Sequence, residues 1–238
     1  MANLEFIETK ADTKGERYSG KQLTAIYHIL LDCYGPQHWW PADTPFEIIV
    51  GAILTQSAAW GNVEKAIMNL KQADALDSRL LREIPLDELA QLIYPSGYYN
   101  AKAAKLKAFV EYLGSAHQDS LEKLFSQDIP SLRRELLAIH GIGKETADSI
   151  ILYAAQKPIF VIDAYTHRIL SRLGSSFSKN DYSGLQKLFM DNLPHEQLLF
   201  NEYHALLVCH GKEVCKKAPL CNRCCLSELC VYPEDNHC

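Results

Sequence analysis

Apolar positions recur at helical spacing along most of this 238-residue chain. Alternating apolar–polar runs joined by hairpin dipeptides are missing, so the pattern predicts an all-α protein. The stretch Phe46 to Leu54 (FEIIVGAIL) is apolar on nearly every side. It predicts a buried central helix, with Thr44 as N-cap and Pro45 as first helical residue. Pro95-Ser96-Gly97 reads as a turn. After it, Ala101, Ala104, Leu106, Phe109, Val110 and Leu113 mark another helix, and Gly114 reads as its stop. Pro130-Ser131 opens a helix through Leu136 and Leu137. A further helix runs from about Lys144 to Ala155 and ends before Pro158. The short apolar segment IFVI then leads into a helix from Asp163 to Leu173, closed by Gly174. There is no fixed-period repeat or low-complexity linker. The clear shift in composition comes after Gly211, where the chain becomes Cys-rich.

A 26.9 kDa chain that is 47% hydrophobic can build one large domain or two small ones. The first twenty residues carry charges throughout and no apolar h-region, and no apolar run is long enough to span a bilayer. The expectation is a soluble, cytoplasmic protein with no membrane partner. A net charge of -5 and a pI near 6.0 weigh mildly against a nucleic-acid partner, because phosphates call for cations. They do not exclude one, since net charge does not report where the cations sit. Lys102, Lys105 and Lys107 form one cluster, and Lys212, Lys216, Lys217 and Arg223 another.

Cys215, Cys221, Cys224 and Cys230 carry the first chemical signal, spaced C-x5-C-x2-C-x5-C. Clustered thiols in a reducing compartment more often hold a metal than form disulfides. Structural zinc sites usually pair two short knuckles, and here a single CxxC is flanked by a lone cysteine on each side. One continuous loop can wrap a cubane, so the spacing favours an iron–sulfur cluster. A zinc-stapled tail is the alternative. Cys33, Cys209 and Cys238 read as bystanders, and Cys225 as a thiol that could substitute for a ligand.

The second signal is His140-Gly141-Ile142-Gly143-Lys144, a very tight turn between two helices. Both glycines can adopt positive φ there. The helix that follows offers N–H groups and a positive dipole end, to which Lys144 adds a cation, and phosphate suits such a site. Alone, Gly-x-Gly is weak and a plain connector would explain it.

Together, HGIGKETADSIILYA, FVIDAYTHRILSRLG and the four-cysteine loop resemble the helix–hairpin–helix DNA glycosylases of the endonuclease III superfamily. TPFEIIVGAILTQ is similar to their buried second helix and the loop after it, and the resemblance runs from about Trp39 to Cys230. It implies a two-domain fold: a six-helix domain over residues 38–157, and a second domain of 1–37 with 158–238 that carries a [4Fe–4S] cluster. It also implies a monomer acting on double-stranded DNA, from which a damaged base is flipped into a pocket and excised. If the source is bacterial, the enzyme would work at the nucleoid. The catalytic aspartate maps onto Asp163, although an Asp just before a helix is also an ordinary N-cap. Gly141, Ile142, Gly143 and Lys144 would grip the DNA backbone. Gln56 would enter the gap left by the flipped base; otherwise it is a solvated loop glutamine.

The departures from the pattern narrow the function. Bifunctional members carry a Schiff-base lysine at the position of Glu145, and a carboxylate cannot form an imine. Lys144 lies one residue earlier, about 100° around the helix. The expectation is a monofunctional glycosylase with little or no lyase activity. HWWPADTPFE, PSGYYNAKA and GIGKETAD are similar to the 3-methyladenine branch. Trp39, Trp40, Pro41 and Phe46 would then line a pocket for an alkylated, cationic purine, or the tryptophans would simply fill a core. Tyr98 and Tyr99 read as packing residues. The cysteine loop is one residue shorter than in endonuclease III between its first two cysteines. Rival readings are excision of oxidised pyrimidines or mispaired bases, and a lesion-binding protein without catalysis.

Overall fold

A computed structural model describes residues 19–178 and 180–232. The first eighteen residues, read above as lacking an apolar leader, and Cys238 lie outside that range. Among the described residues there are twelve α-helices and no strand. In chain order they are α1 (Gly20–Tyr34), α2 (Pro45–Leu54), α3 (Trp60–Gln72), α4 (Ser78–Glu83), α5 (Leu86–Leu92) and α6 (Tyr99–His117). Then follow α7 (Leu121–Phe125), α8 (Ile129–Ala138), α9 (Lys144–Ser149), α10 (Ala164–Arg172), α11 (Tyr182–Asn192) and α12 (Gln197–Glu213). No helix among the described residues is long and apolar enough to cross a membrane.

The central helix is α2. Thr44 caps it by accepting from the Glu47 N–H at 3.1 Å, and Pro45 sits where a missing N–H costs nothing. Ile49, Val50, Ile53 and Leu54 are fully enclosed as α2 packs against α3, α6 and α9. Glu47 is buried with them and is held by Lys71 at 2.9 Å, so its charge is paired. A second apolar centre joins α1, α10, α11 and α12. There Phe160 stacks on Phe189 with centroids 3.8 Å apart, and the Tyr203 hydroxyl donates to the Leu23 carbonyl at 2.8 Å.

Three local readings fail for physical reasons. Gly114 does not stop α6, which runs on to His117 and ends at left-handed Gln118. A Cβ at Gly114 would lie 2.1 Å from Arg82 Nη1, so this glycine makes room for a guanidinium. Arg82 passes through that gap to bind Asp119 at 2.5 and 2.9 Å. The lysine cluster on α6 also disperses. Lys102 is buried and donates to the carbonyls of Leu54 (2.8 Å) and Ser96 (2.6 Å), while Lys107 donates to those of Arg82 and Ile84. Both lysines therefore satisfy carbonyls at helix ends and turns. Burial, then the Lys105 charge, lowers Lys102 to about 8. Tyr98 is 75% exposed and so does not pack as expected, whereas Tyr99 does, against Tyr94.

The helix expected from Lys144 to Ala155 is α9 followed by a π turn, Ile150–Ala154. The wider turn closes with the Ala155 N–H on the Ile150 carbonyl at 3.0 Å. All five of its side chains are buried, and Tyr153 is among them. π turns recur at functional sites, and this one carries Tyr153, which packs against Trp39, Trp40 and His204.

Candidate active site

The end of α2, the hairpin and α11 enclose a cavity of about 480 Å³. Gln56, Lys144, Glu145 and Tyr182 line it. Gln56 is neither free nor solvated. Its Nε2 donates to the Gly141 carbonyl (3.1 Å) and to Thr146 Oγ1 (2.9 Å), and its Oε1 accepts from Lys105 Nζ at 2.5 Å. Of the two hairpin glycines only Gly141 has positive φ, at 81°. A Cβ there would also meet Lys105 Cγ at 2.2 Å, so Gly141 is required twice. Gly143 has φ -89° and serves as the N-cap of α9, so only one of the two glycines uses the left-handed region open to both. The Ile142 side chain is buried, and its N–H donates to the Ile139 carbonyl at 3.1 Å.

Lys144 points to α11, with Nζ 2.9 Å from Ser183 Oγ and 5.8 Å from the Tyr182 ring centroid. Glu145, one residue on, interacts instead with Asp163. The protein around it, and second the Asp163 charge, push the Glu145 carboxyl up to about 7. Glu145 remains solvent-accessible, so this rise reflects the walls of an open cleft and not a dry interior. Asp163 is the N-cap of α10, with Oδ1 accepting from the Thr166 N–H at 2.7 Å. Its Oδ2 lies 3.8 Å from His204 Nε2, and only a tenth of its side chain is exposed. Capping engages Oδ1 and leaves Oδ2 facing His204.

An aromatic cluster packs beside Asp163 through His204. Trp39 and Trp40 have centroids 5.7 Å apart, and Tyr153 lies 5.2 Å from Trp40. His204 lies 6.1 Å from Trp39, and Trp60 meets Trp40 edge-on at 5.4 Å. Trp40 seats against Gly51 of α2, where a Cβ would stand 3.2 Å from the indole. Of the four expected pocket residues, Trp39 and Trp40 thus join this cluster. Pro41 is exposed, and Phe46 is buried at the first turn of α2. Sequence reasoning missed Trp60, Tyr153 and His204. The last two look like core residues in ILYAA and YHALL, and only the fold brings them to Asp163.

A buried carboxylate ties the hairpin helix to the rest of the cleft. Asp148 of α9 is fully enclosed and accepts from Arg133 Nε (2.6 Å), the Tyr182 hydroxyl (2.6 Å) and Gln186 Nε2 (2.8 Å). Gln186 donates in turn to the Phe160 carbonyl at 2.7 Å, just before Asp163 in the chain.

The cysteine loop is fastened to α10. Arg168 donates to the carbonyls of Cys215 (2.8 Å) and Gly211 (2.9 Å), and Arg172 Nη1 lies 3.2 Å from Cys215 Sγ. Burial raises the Cys224 thiol, with further contributions from nearby Cys215, Cys230 and Cys33. Cys225 hydrogen-bonds to Cys33 of α1, and burial above all pushes its thiol up to about 12. Cys215, Cys224 and Cys230 carry free thiols. Among the described residues no group of three or more His, Cys, Asp or Glu side chains is arranged to hold a metal ion. As a donor set, Cys215, Cys221, Cys224 and Cys230 would suit a thiolate-held cluster. Lys212, Lys216, Lys217 and Arg223 are exposed around the loop.

An all-helical body with a hairpin, an aspartate-capped helix and an aromatic cluster defines a class, and the chain belongs to the HhH-GPD superfamily of base excision DNA repair proteins, matching its profile over residues 50–195. A Methanocaldococcus jannaschii protein described as a DNA repair glycosylase is 47% identical over 87% of this chain and 94% of its own length. Endonuclease III of Sulfolobus acidocaldarius is 29% identical over 80% and 83%. Among solved structures, the Helicobacter pylori 3-methyladenine DNA glycosylase bound to 1,N6-ethenoadenine superimposes with a TM-score of 0.71 at 30% identity, covering 82% of this chain and 97% of that one. A trapped endonuclease III–DNA covalent intermediate gives 0.77 at 22% identity, covering 90% and 97%, which speaks for the fold alone. The chain is a DNA glycosylase of the helix–hairpin–helix base excision repair type.

Proposed function

We propose that the protein is a monofunctional glycosylase that hydrolyses the N-glycosidic bond of an alkylated purine such as 3-methyladenine. The observation that carries this reading is the aromatic cluster beside two carboxylates. Trp39, Trp40 and Tyr153 supply electron-rich faces, and Asp163 and Glu145 supply negative charge. A flipped base that is itself a cation is favoured by both, the ring contacts adding about 0.5–2 kcal/mol. Alkylation also weakens the glycosidic bond, so little leaving-group activation is needed. Asp163 stabilises the oxocarbenium-like transition state and orients the attacking water. Glu145, in the lyase-lysine position, cannot form an imine, and Lys144 is drawn off toward Ser183.

In the same reading the backbone of Gly141, Ile142 and Gly143, with Lys144, holds DNA phosphates, and Gln56 leaves its hairpin bonds to fill the vacated stack. Pro41 and Phe46 border the pocket by way of Trp40 and α2. Cys215, Cys221, Cys224 and Cys230 hold a [4Fe–4S] cluster whose contribution is to order the basic loop. The chain divides into a domain of residues 38–157 and a second of 1–37 with 158–238, and acts as a cytoplasmic monomer on damaged duplex.

The test is incubation of methylated duplex DNA with the purified protein, analysed with and without alkali. Strand breaks appearing only after alkali are expected. Breaks without alkali would refute the monofunctional assignment. A second reading, excision of oxidised pyrimidines or mispaired bases, draws on the endonuclease III relatives. Activity on those substrates with none on methylated DNA would establish it.

A further inference from the structure

We propose that His204 is a positioning residue for Asp163, with Tyr153 setting the ring so that Nε2–H is presented to Asp163 Oδ2. The inference rests on the role given to Asp163 above. His204 is buried on α12, and its Nδ1 lies 2.5 Å from the Tyr153 hydroxyl on the π turn. Its Nε2 is buried, has no hydrogen-bond partner among the described residues, and faces Asp163 Oδ2 at 3.8 Å. A buried polar atom without a partner is costly and calls for an explanation.

The proton inventory selects one arrangement. Burial lowers the His204 pKa even against the attraction of Asp163, so the ring is neutral and carries one N–H. If that proton were on Nδ1, the Nε2 lone pair would face a carboxylate, acceptor against acceptor. With the Tyr153 hydroxyl as donor to Nδ1, the ring proton moves to Nε2 and the contact becomes attractive. Tyr153 is able to donate, because burial first and then nearby Asp163 and Glu202 hold its hydroxyl protonated far above neutrality.

The distance of 3.8 Å is longer than a hydrogen bond. Such bonds in unliganded active sites are often long and tighten in the substrate complex. When this one tightens, Asp163 is held at both oxygens, by the Thr166 N–H on Oδ1 and by His204 on Oδ2. The carboxylate plane is then fixed, and the remaining Oδ2 lone pair is left for water. Tyr153 belongs to the same continuous helix as the hairpin, so engagement of DNA at Gly141–Lys144 and the aim of Asp163 share one rigid piece.

The experiment compares wild type with His204→Phe, His204→Gln and Tyr153→Phe in single-turnover excision from methylated duplex. A charge-assisted N–H donor is worth enough that His204→Phe is expected to slow excision by about tenfold or more, with the Kd for lesion DNA moving less than about twofold. Glutamine keeps an N–H near the Nε2 position and should recover most of the rate, while Tyr153→Phe falls between. Equal rates for Phe and Gln, or a Kd that moves in parallel with the rate, would overturn the proposal. A readout independent of substrate is the ¹⁵N spectrum of the His204 ring, expected to show the neutral Nε2–H tautomer. The Nδ1–H tautomer would overturn it even if His204→Phe does not fold. If wild type ignores methylated DNA, the substrate reading fails by itself. The same ratios are then taken on whichever oxidised or mismatched duplex wild type does process.

Discussion

Glu145→Gln isolates the carboxylate that stands where a lyase lysine would be. In the folded protein this group titrates at about 7, against an ordinary value of 4.5. Below pH 4.5 the carboxyl is neutral folded or unfolded, and the native state bears no cost. Between 4.5 and 7 the unfolded chain ionises first, so native stability falls as pH rises and reaches its full loss above 7. Taken at face value, the rise corresponds to about 3.4 kcal/mol at 1.36 kcal/mol per pH unit. Glu145 is solvent-accessible, and screening cuts that to about 1 kcal/mol. For a chain of this size 1 kcal/mol is about 2–4 °C in Tm. Glutamine is neutral throughout and escapes the loss. Thermal melts of both proteins from pH 5 to pH 8 should therefore show the variant gaining on wild type by about that amount. In excision the two should differ least at the acid end of that range, where the wild-type carboxyl is most protonated. Above pH 7 wild type should pull ahead, because a second anion favours a cationic base. A Tm gap that stays constant or reverses with pH would refute the reasoning.

Three further outcomes follow from the geometry. Asp163→Asn keeps an N-cap side chain that can still accept from Thr166, so Tm should hold while excision falls by about 100-fold or more in single-turnover assays. Arg133→Leu leaves the enclosed Asp148 carboxylate without its cation and should cost about 3–5 kcal/mol in denaturant unfolding. Retained stability would mean that Tyr182 and Gln186 suffice. Gly141→Ala forces a side chain into a φ of 81° and onto Lys105, so it should lose about 1–3 kcal/mol and weaken DNA binding measured by anisotropy.

What could be read from the sequence was what local chemistry dictates. The Thr44-Pro45 start of α2, its all-round burial and the Asp163 cap each depend on residues within four positions of one another. The cleft is different. Tyr153 and His204 are separated by 51 positions, and each sits in an apolar stretch where a core role is the natural reading. A polar atom that ends up buried without a partner is visible only in three dimensions. Lysines mislead for a related reason. A flexible stem can carry the charge to a helix-end carbonyl as readily as to a phosphate, and Lys102 and Lys107 do the former. Gly114 shows the same limit, since a glycine that admits a distant guanidinium carries no local mark distinguishing it from a helix stop.

Helix α10 is nine residues long, about 14 Å from end to end. Asp163 is mounted on its first turn, and the cysteine loop is lashed to its last two turns through Arg168 and Arg172. So short a helix behaves as a rigid strut. A loop that slackens tilts the strut and spoils the aim of the carboxylate well before the fold gives way. Damage to the thiols should therefore show up first as a glycosylase that still melts normally and still binds DNA, but strikes the sugar off target.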